Sequence, residues 1–433
     1  MIAMNKYFGT DGIRGVYGRG LDDKLAFKAG LALARHFGAG DYIVVRDTRA
    51  SGPALEDAVI KGLYAGGAAV YKGGVLPTPA AAFLVKKHGG RAGIVISASH
   101  NPPEYNGIKV FDAHGLKIDE QTERALETLI TACEDPDPDA MGKYKTLPKA
   151  AADYTDYLAG EVPLDLKGLR VFLDCGFGAA AGGLAAGVFR RLGAEVAAFN
   201  DTHDGARINA GTGALHPEFL LGKMKGAGGD AVGFSLDGDG DRLTVVRGGA
   251  VLDGDTVLYN LAVDMPLKGN AVAGTILSNL ALEEQLAARG IAFYRTPVGD
   301  KYVANLLYEK GLTLGGEQSG HYIINTNCLT GDAVLAALYL LRFLYKDGHL
   351  RPHAVLPLYP QIQKSWPADP EILSDPDFQT LIRRGRETLG TAGRIVARMS
   401  GTEPIVRVMA EGRDPAAVAR VMKEAEELFS KRG

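Results

Sequence analysis

Three times along this chain an apolar strand, a small-residue turn, an alanine-rich amphipathic helix, a glycine and a second apolar strand follow one another. The first run goes from Tyr42-Ile-Val-Val-Arg-Asp47 through a helix over 54–64 to Ala68-Ala-Val-Tyr71. The second goes from Leu169-Arg-Val-Phe-Leu-Asp174 through 183–192 to Ala194-Glu-Val-Ala-Ala-Phe199. The third goes from Ala271-Val-Ala-Gly-Thr-Ile-Leu277 through 280–289 to Ile291-Ala-Phe-Tyr294. Parallel strands need a crossover long enough to hold a helix, so such runs read as strand–helix–strand units. The pattern predicts an α/β fold of three similar domains, each on a mainly parallel sheet. A length of 433 residues supports the division, because single hydrophobic cores stop growing well short of it.

Punctuation places the junctions. Glu134-Asp-Pro-Asp-Pro-Asp139 cannot continue regular structure and marks the approach to the first boundary. Val251-Leu-Asp-Gly-Asp255 opens the third unit after a polar turn, and His349-Leu-Arg-Pro-His353 with Pro357 and Pro360 precedes a smaller last piece. The expected domains are therefore 1–150, 151–251, 252–352 and 353–433. The last piece carries strands over 393–398 and 405–410. Its closing helix starts at Asp414 as N-cap with Pro415 in the first turn, and aligns Val418, Met422, Ala425 and Phe429 on one face. It reads as a small α+β domain.

A net charge of -3 argues against a general nucleic-acid or membrane-surface role, which needs a basic face. No apolar run approaches the roughly 20 residues that span a bilayer. Met1-Ile-Ala-Met-Asn-Lys6 lacks the apolar core of a signal peptide, and Cys133, Cys175 and Cys328 are few, scattered and odd in number. A cytoplasmic protein with no disulfide framework and no zinc site is expected.

Four loops carry chemistry. The strand 92–96 empties into Ser97-Ala-Ser99-His100-Asn101-Pro102, presenting a hydroxyl at a strand end. After the strand 231–236 comes Asp237-Gly-Asp239-Gly-Asp241-Arg242, whose alternate carboxylates can fold onto one hard divalent cation. An EF-hand begins similarly, but Arg242 stands where its glycine belongs and Gly248 at its twelfth position. A merely solvated acidic turn is the other bland possibility. Oxygen-only ligands favour Mg²⁺ over zinc, and Arg242 suits a phosphoryl oxygen. Gly315-Gly-Glu317-Gln-Ser319-Gly-His321 gathers hydrogen-bonding groups suited to sugar hydroxyls. Arg398-Met-Ser400-Gly401-Thr402-Glu-Pro404, with Arg407 on the next strand, has the makings of an anion nest; alone it would pass for a plain Ser-Gly turn. Together the four point to phosphoryl transfer on a sugar phosphate.

Weaker signals accompany them. Phe8-Gly-Thr-Asp-Gly-Ile-Arg14-Gly15 joins turn glycines to a cation, and Lys109 follows the serine loop facing either Ser99 or solvent. Cys175-Gly-Phe-Gly178-Ala-Ala-Ala181, with Asp201 beyond, fits the dinucleotide-binding pattern and supports a rival NAD-dependent dehydrogenase. A non-catalytic sugar-phosphate binding protein would need only the anion and sugar loops. A serine hydrolase would want Gly-x-Ser-x-Gly, which Ser99 lacks.

The loops at 8–15, 96–102, 237–242, 315–321 and 398–404 resemble, in order and spacing, those of the α-D-phosphohexomutase superfamily, and the likeness covers essentially the whole chain. Gly-Thr-Asp-Gly-Ile-Arg-Gly, Gly-Glu-Gln-Ser-Gly-His, Arg-x-Ser-Gly-Thr-Glu-Pro, Ile208-Asn209 and Arg295-Thr-Pro-Val-Gly-Asp300 are similar to the branch acting on glucosamine phosphates. Pro103-Glu-Tyr105 is closer to the phosphomannomutase/phosphoglucomutase branch, the alternative. The resemblance implies a C-terminal domain of TATA-binding-protein-like fold and a shared cleft. It also implies interconversion of glucosamine 6-phosphate and glucosamine 1-phosphate by an enzyme that carries phosphate on Ser99. A sugar 1,6-bisphosphate would be intermediate or activator. Mg²⁺ would be held by Asp237, Asp239, Asp241 and the phosphorylated Ser99. Arg14, His100, Lys109 and His321 are then the candidates for work beside Ser99, with Arg242, Glu317, Ser319, Arg398, Ser400, Gly401, Thr402 and Arg407 as substrate ligands. A hexose or hexosamine phosphate is the expected partner, with a homodimer possible.

Overall fold

In the computed structural model, residues 7–9, 11–135, 141–400 and 404–431 are described. The first strand–helix–strand run forms strand Asp41–Arg46, helix Gly52–Ala65 and strand Ala69–Val75, with the two strands parallel neighbours. After helix Thr78–His88, strand Ala92–Ile96 joins the other side of Asp41–Arg46, also in parallel. The sheet then changes sense: Tyr105–Asp112 runs antiparallel to Ala92–Ile96, and Gly12–Tyr17 antiparallel to Tyr105–Asp112.

The second and third runs repeat this plan. Glu195–Phe199, Arg170–Asp174 and Ala231–Leu236 are parallel, followed by antiparallel Leu243–Arg247 and Ala250–Leu252. Ala292–Thr296, Ala271–Thr275 and Leu314–Gly316 are parallel, followed by antiparallel Tyr322–Ile324. The sheets are thus mixed, with parallel centres and an antiparallel return. Each return places a functional loop: 97–104, 237–242 and 317–321 all connect a parallel strand to its antiparallel neighbour. The last piece does the same, since residues 400–404 join the antiparallel pair Gly393–Met399 and Ile405–Gly412.

The first three units share a core, although the first and third also keep smaller clusters of their own. One continuous apolar cluster includes Val45 and Val95 of the first sheet, Leu173 and Phe234 of the second, and Val272 and Leu338 beyond them. Its centre is helix Ala333–Leu344, in which ten of twelve residues are buried. A helix apolar on every side belongs inside a protein or a membrane; among the described residues, no helix is long and apolar enough to cross a membrane. The loops therefore hang from a floor that resists deformation, because packed interiors transmit strain instead of absorbing it.

The C-terminal piece is α+β. Strands Gln361–Pro367, Ile405–Gly412 and Gly393–Met399 form an antiparallel sheet covered by helices Pro376–Leu389 and Pro415–Ser430. Asp414 caps the second helix by accepting from the Ala416 N–H at 2.9 Å. Val418, Met422, Ala425 and Phe429 are buried in a core belonging to this piece. Strand 361–367 and helix 376–389 went unread in the sequence, where the prolines around 357–360 mask the start of the piece.

Candidate active site

Strand Ala92–Ile96 is buried along its whole length, so the chain can expose polar groups only once it leaves the sheet. It turns back through Ser99, which sits at φ +52°, a left-handed conformation uncommon for a residue other than glycine. The Ser99 hydroxyl donates to Asp237 Oδ2 at 2.8 Å and lies 3.4 Å from His100 Nδ1.

Asp237, Asp239 and Asp241 are all buried, and each offers an oxygen within 4.8 Å of the others. The glycines between them let successive carboxylates turn inward. Burial, then Asp241 and Asp239, push the Asp237 carboxyl well above the usual carboxylate range. Burial acts the same way on Asp241, but Lys109, His321 and Lys117 outweigh it and hold that group low. Asp239 Oδ1 and Asp241 Oδ1 are buried without a hydrogen-bond partner. Two orphaned oxygens in an all-oxygen cluster are what a hard cation such as Mg²⁺ would satisfy, so the residues fit that ion.

Lys109, the fifth residue of strand Tyr105–Asp112, does not face solvent. Its ammonium lies 2.8 Å from Asp239, 3.2 Å from Asp241 and 2.9 Å from Asp11. Burial opposes its charge, and the three carboxylates more than restore it, leaving its pKa raised. Lys117 extends the network by bridging Asp11 and Asp300, and Arg14 pairs with Asp11. His321 lies 3.1 Å from Asp300 through Nε2 and 3.7 Å from Asp241 through Nδ1. Burial would lower its pKa, but Asp300 and Asp241 lift it above the ordinary value. His100 is the opposite case: burial, Arg242 and Arg14 push it down to about 3, so it stays neutral.

Part of this network borders a cleft of about 1150 Å³, whose lining does not include the buried Ser99, Lys109, Asp237 and Asp239. Arg14, His100, Asp241, Arg242 and His321 line it, as do Glu317 and Ser319 of the third loop. Glu317 Oε1 accepts from the Gly299 N–H at 3.0 Å, and burial raises its carboxyl. Arg398, Ser400 and Arg407 line the same cleft. Arg398 and Arg407 are direct cross-strand partners. Like charges opposite each other destabilise a sheet unless an anion lies between them. Burial and then Arg407 lower the Arg398 pKa, as two crowded guanidinium groups require. Gly401 and Thr402 lie outside the described residues.

The dinucleotide-like pattern proves to be packing. Ala179 N–H donates to Gly238 O at 2.7 Å, and a Cβ on Gly178 would meet that oxygen at 2.3 Å. The glycines thus bring this turn against the carboxylate loop. Asp201 accepts from the Gly183 N–H at 3.0 Å, ahead of helix Leu184–Arg191. Both features that supported the dehydrogenase reading have structural work instead.

Several site residues carry no signature in the sequence. Asp11, Asp47 and Asp300 lie inside motifs or strand runs that give them no partner; Lys117 and Arg49 lie in none. Asp47 and Arg49 lie in the turn after strand Asp41–Arg46, the position where such sheets collect polar groups.

Known proteins are similar along the whole chain. Residues 5–137, 253–358 and 360–428 match the phosphoglucomutase/phosphomannomutase alpha/beta/alpha domain I, domain III and C-terminal domain. A phosphoglucosamine mutase of Thermotoga petrophila is 43% identical over 429 residues, covering 97% of this chain and 98% of that protein. One from Moorella thermoacetica is 40% identical over 446 residues, covering 99% and 100%. Among solved structures, a phosphoglucomutase/phosphomannomutase family protein from Burkholderia thailandensis has a TM-score of 0.81 at 28% identity, covering 99% and 97%. An Aspergillus fumigatus N-acetylphosphoglucosamine mutase in complex with GlcNAc-6P and magnesium shares the fold, with a TM-score of 0.68 at 18% identity over 98% and 96%.

Proposed function

Because this chain belongs to the phosphoglucomutase/phosphomannomutase family of isomerases, we propose that its cleft interconverts glucosamine 6-phosphate and glucosamine 1-phosphate through phosphorylated Ser99. One observation carries the chemistry: a single cleft is lined both by His100 and Asp241, which adjoin the buried Ser99–Asp237 pair, and by the paired arginines. A mutase needs both. While one phosphate reacts at Ser99, the arginines hold the other.

The sugar hydroxyl forms a bond to phosphorus as the bond from Ser99 Oγ breaks, giving a 1,6-bisphosphate. The bisphosphate turns round, and Ser99 takes back the phosphoryl group from the other end. Catalysis then rests on positioning and charge neutralisation. Asp237, Asp239 and Asp241 would hold Mg²⁺ beside Ser99, where the ion supplies Lewis-acid polarisation of the phosphoryl oxygens. Lys109, kept cationic by Asp11, Asp239 and Asp241, and Arg242 offset the negative charge of the phosphoryl group. His100 is the nearest neutral nitrogen to Ser99 Oγ, and a phosphoryl dianion there raises its affinity for a proton. It takes the proton from the attacking hydroxyl and passes it to the departing Ser99 Oγ, 3.4 Å away. Glu317 and Ser319 bind sugar hydroxyls, and Arg398, Ser400, Gly401, Thr402 and Arg407 bind the distal phosphate. A sugar 1,6-bisphosphate also loads Ser99 at the outset.

The substrate assignment rests on the glucosamine-type loop sequences and on relatives of that name at about 40% identity. Rates on glucosamine, glucose and mannose phosphates test it. The highest kcat/KM is expected on the glucosamine pair; a higher value on mannose or glucose phosphate moves the protein to the other branch.

A further inference from the structure

Arg49 is wholly buried and lines no part of the cleft. Its five guanidinium protons are nevertheless all committed. Nε donates to Asp47 Oδ2 at 2.9 Å, and Nη2 donates to the carbonyls of Ser99 and Asn101, each at 2.8 Å. Nη1 donates to Tyr105 O at 2.9 Å and to Pro102 O. A guanidinium has five donors in one plane, so none is left for a substrate. Three of its five partners are carbonyls of the serine loop, and a fourth is the first carbonyl of the strand that follows it.

The same loop is held from two other directions. Asp47 Oδ2 accepts from the Ser97 hydroxyl at 2.6 Å, and Ser97 Oγ accepts from the Ser99 N–H at 2.9 Å. Asn209, from the loop beyond strand Glu195–Phe199 of the second sheet, donates through Nδ2 to Ser99 O at 2.9 Å and Asn101 O at 3.2 Å. Both backbone polar groups of Ser99 are thus fixed, in a conformation that persists only where its surroundings over-determine it.

We propose that Arg49 is the positioning residue of the phosphoryl-carrying loop, with Asn209 as a second clamp reaching across from the neighbouring unit. The proposal rests on the function given above. Ser99 must present Oγ in line twice per turnover, once to give and once to take, with the substrate turned round in between. A fixed carbonyl keeps those two geometries the same. Lysine cannot replace this clamp, because an ammonium has three donors at one point and cannot reach four carbonyls in a plane.

Arg49→Lys and Asn209→Ala in the full chain test it through kcat, KM, thermal midpoint and the rate at which glucose 1,6-bisphosphate phosphorylates Ser99, read by intact mass. Misplacing a reacting group by about an ångström costs on the order of a hundredfold, so Arg49→Lys should lose about that in kcat and Asn209→Ala about tenfold. KM should stay within about twofold for Arg49→Lys, which lines no part of the cleft, and Ser99 loading should slow in step with kcat in both variants. An unchanged kcat, or a rise in KM alone, overturns the proposal. So does a loss of kcat that vanishes once activity is referred to folded protein. If Arg49→Lys does not fold, Asn209→Ala decides, and wild-type kcat there overturns it. Absence of mutase activity in the unmodified protein on every hexose phosphate would instead defeat the function, while the Ser99 loading rates still test the clamp.

Discussion

Ser99 Oγ donates to Asp237 Oδ2 at 2.8 Å, so the proposed phosphoryl carrier and the first metal-ligand candidate form one hydrogen-bonded unit across two sheets. The serine leaves the first sheet at residue 96 and the aspartate leaves the second at residue 236. Their meeting requires the shared core that joins those sheets.

Asp239 and Asp241 each keep one buried oxygen without a hydrogen-bond partner, which a cation held by the cluster would satisfy. Asp239→Asn or Asp241→Asn should lower kcat by about 10²–10³, the usual effect of removing one electrostatic stabiliser from a closed site. Chelation should abolish turnover and added Mg²⁺ restore it. Full activity in chelator would refute the metal assignment.

Arg398 and Arg407 form a like-charged cross-strand pair on the wall of the cleft. Arg407→Ala should raise KM for the sugar phosphate by about tenfold to a hundredfold, the value of a charged hydrogen bond, while kcat falls less. Steady-state kinetics on both sugar phosphates read the split, and an unchanged KM contradicts the distal-phosphate role.

Gly178 touches Gly238 so closely that an added Cβ would lie 2.3 Å from its carbonyl oxygen. Gly178→Ala should cost about 1–3 kcal/mol of stability, as overpacking does, because backbone must move to admit the methyl. That backbone belongs to the carboxylate loop, so Mg²⁺ affinity should fall with the thermal midpoint. A stable variant with unaltered affinity would show that the contact does not shape the loop.

Asp255 is raised to about 7 from an ordinary 3.8, chiefly by burial, with Asp253 and Glu411 adding to it and Asn279 N–H and Arg295 opposing. A carboxyl that binds its proton more tightly when folded stabilises the fold at low pH, and that contribution is lost as pH rises from about 4 to 7. Asp255→Asn should therefore gain on the parent in thermal midpoint across that window. Parallel midpoint–pH profiles would remove Asp255 as the cause.

The strand–helix–strand rhythm shows in the sequence because each unit obeys local rules: apolar strands, an amphipathic helix, glycine at the turn. The loops at 97–102, 237–242 and 317–321 show for a related reason, since their polar residues interrupt apolar runs. The antiparallel returns do not show, because a buried strand such as Tyr105–Asp112 reads alike whichever way its neighbour runs. Nor do Arg49, Asp11 and Lys117, whose importance lies in partners far away in sequence. Lys109 illustrates the limit: its spacing leaves solvent or site equally open, and three carboxylates from two distant segments decide it. The glycines at 176 and 178 misled for the opposite reason, matching a binding pattern while serving a backbone contact.

The central claim is that Ser99 carries the phosphoryl group. Intact-mass measurement of the purified chain after incubation with glucose 1,6-bisphosphate, followed by peptide mapping, tests it directly. A gain of one phosphoryl group on the peptide containing Ser99, discharged by added glucosamine 6-phosphate and absent from Ser99→Ala, is the predicted result. Turnover of glucosamine phosphates with Ser99 never modified, or undiminished in Ser99→Ala, would contradict it.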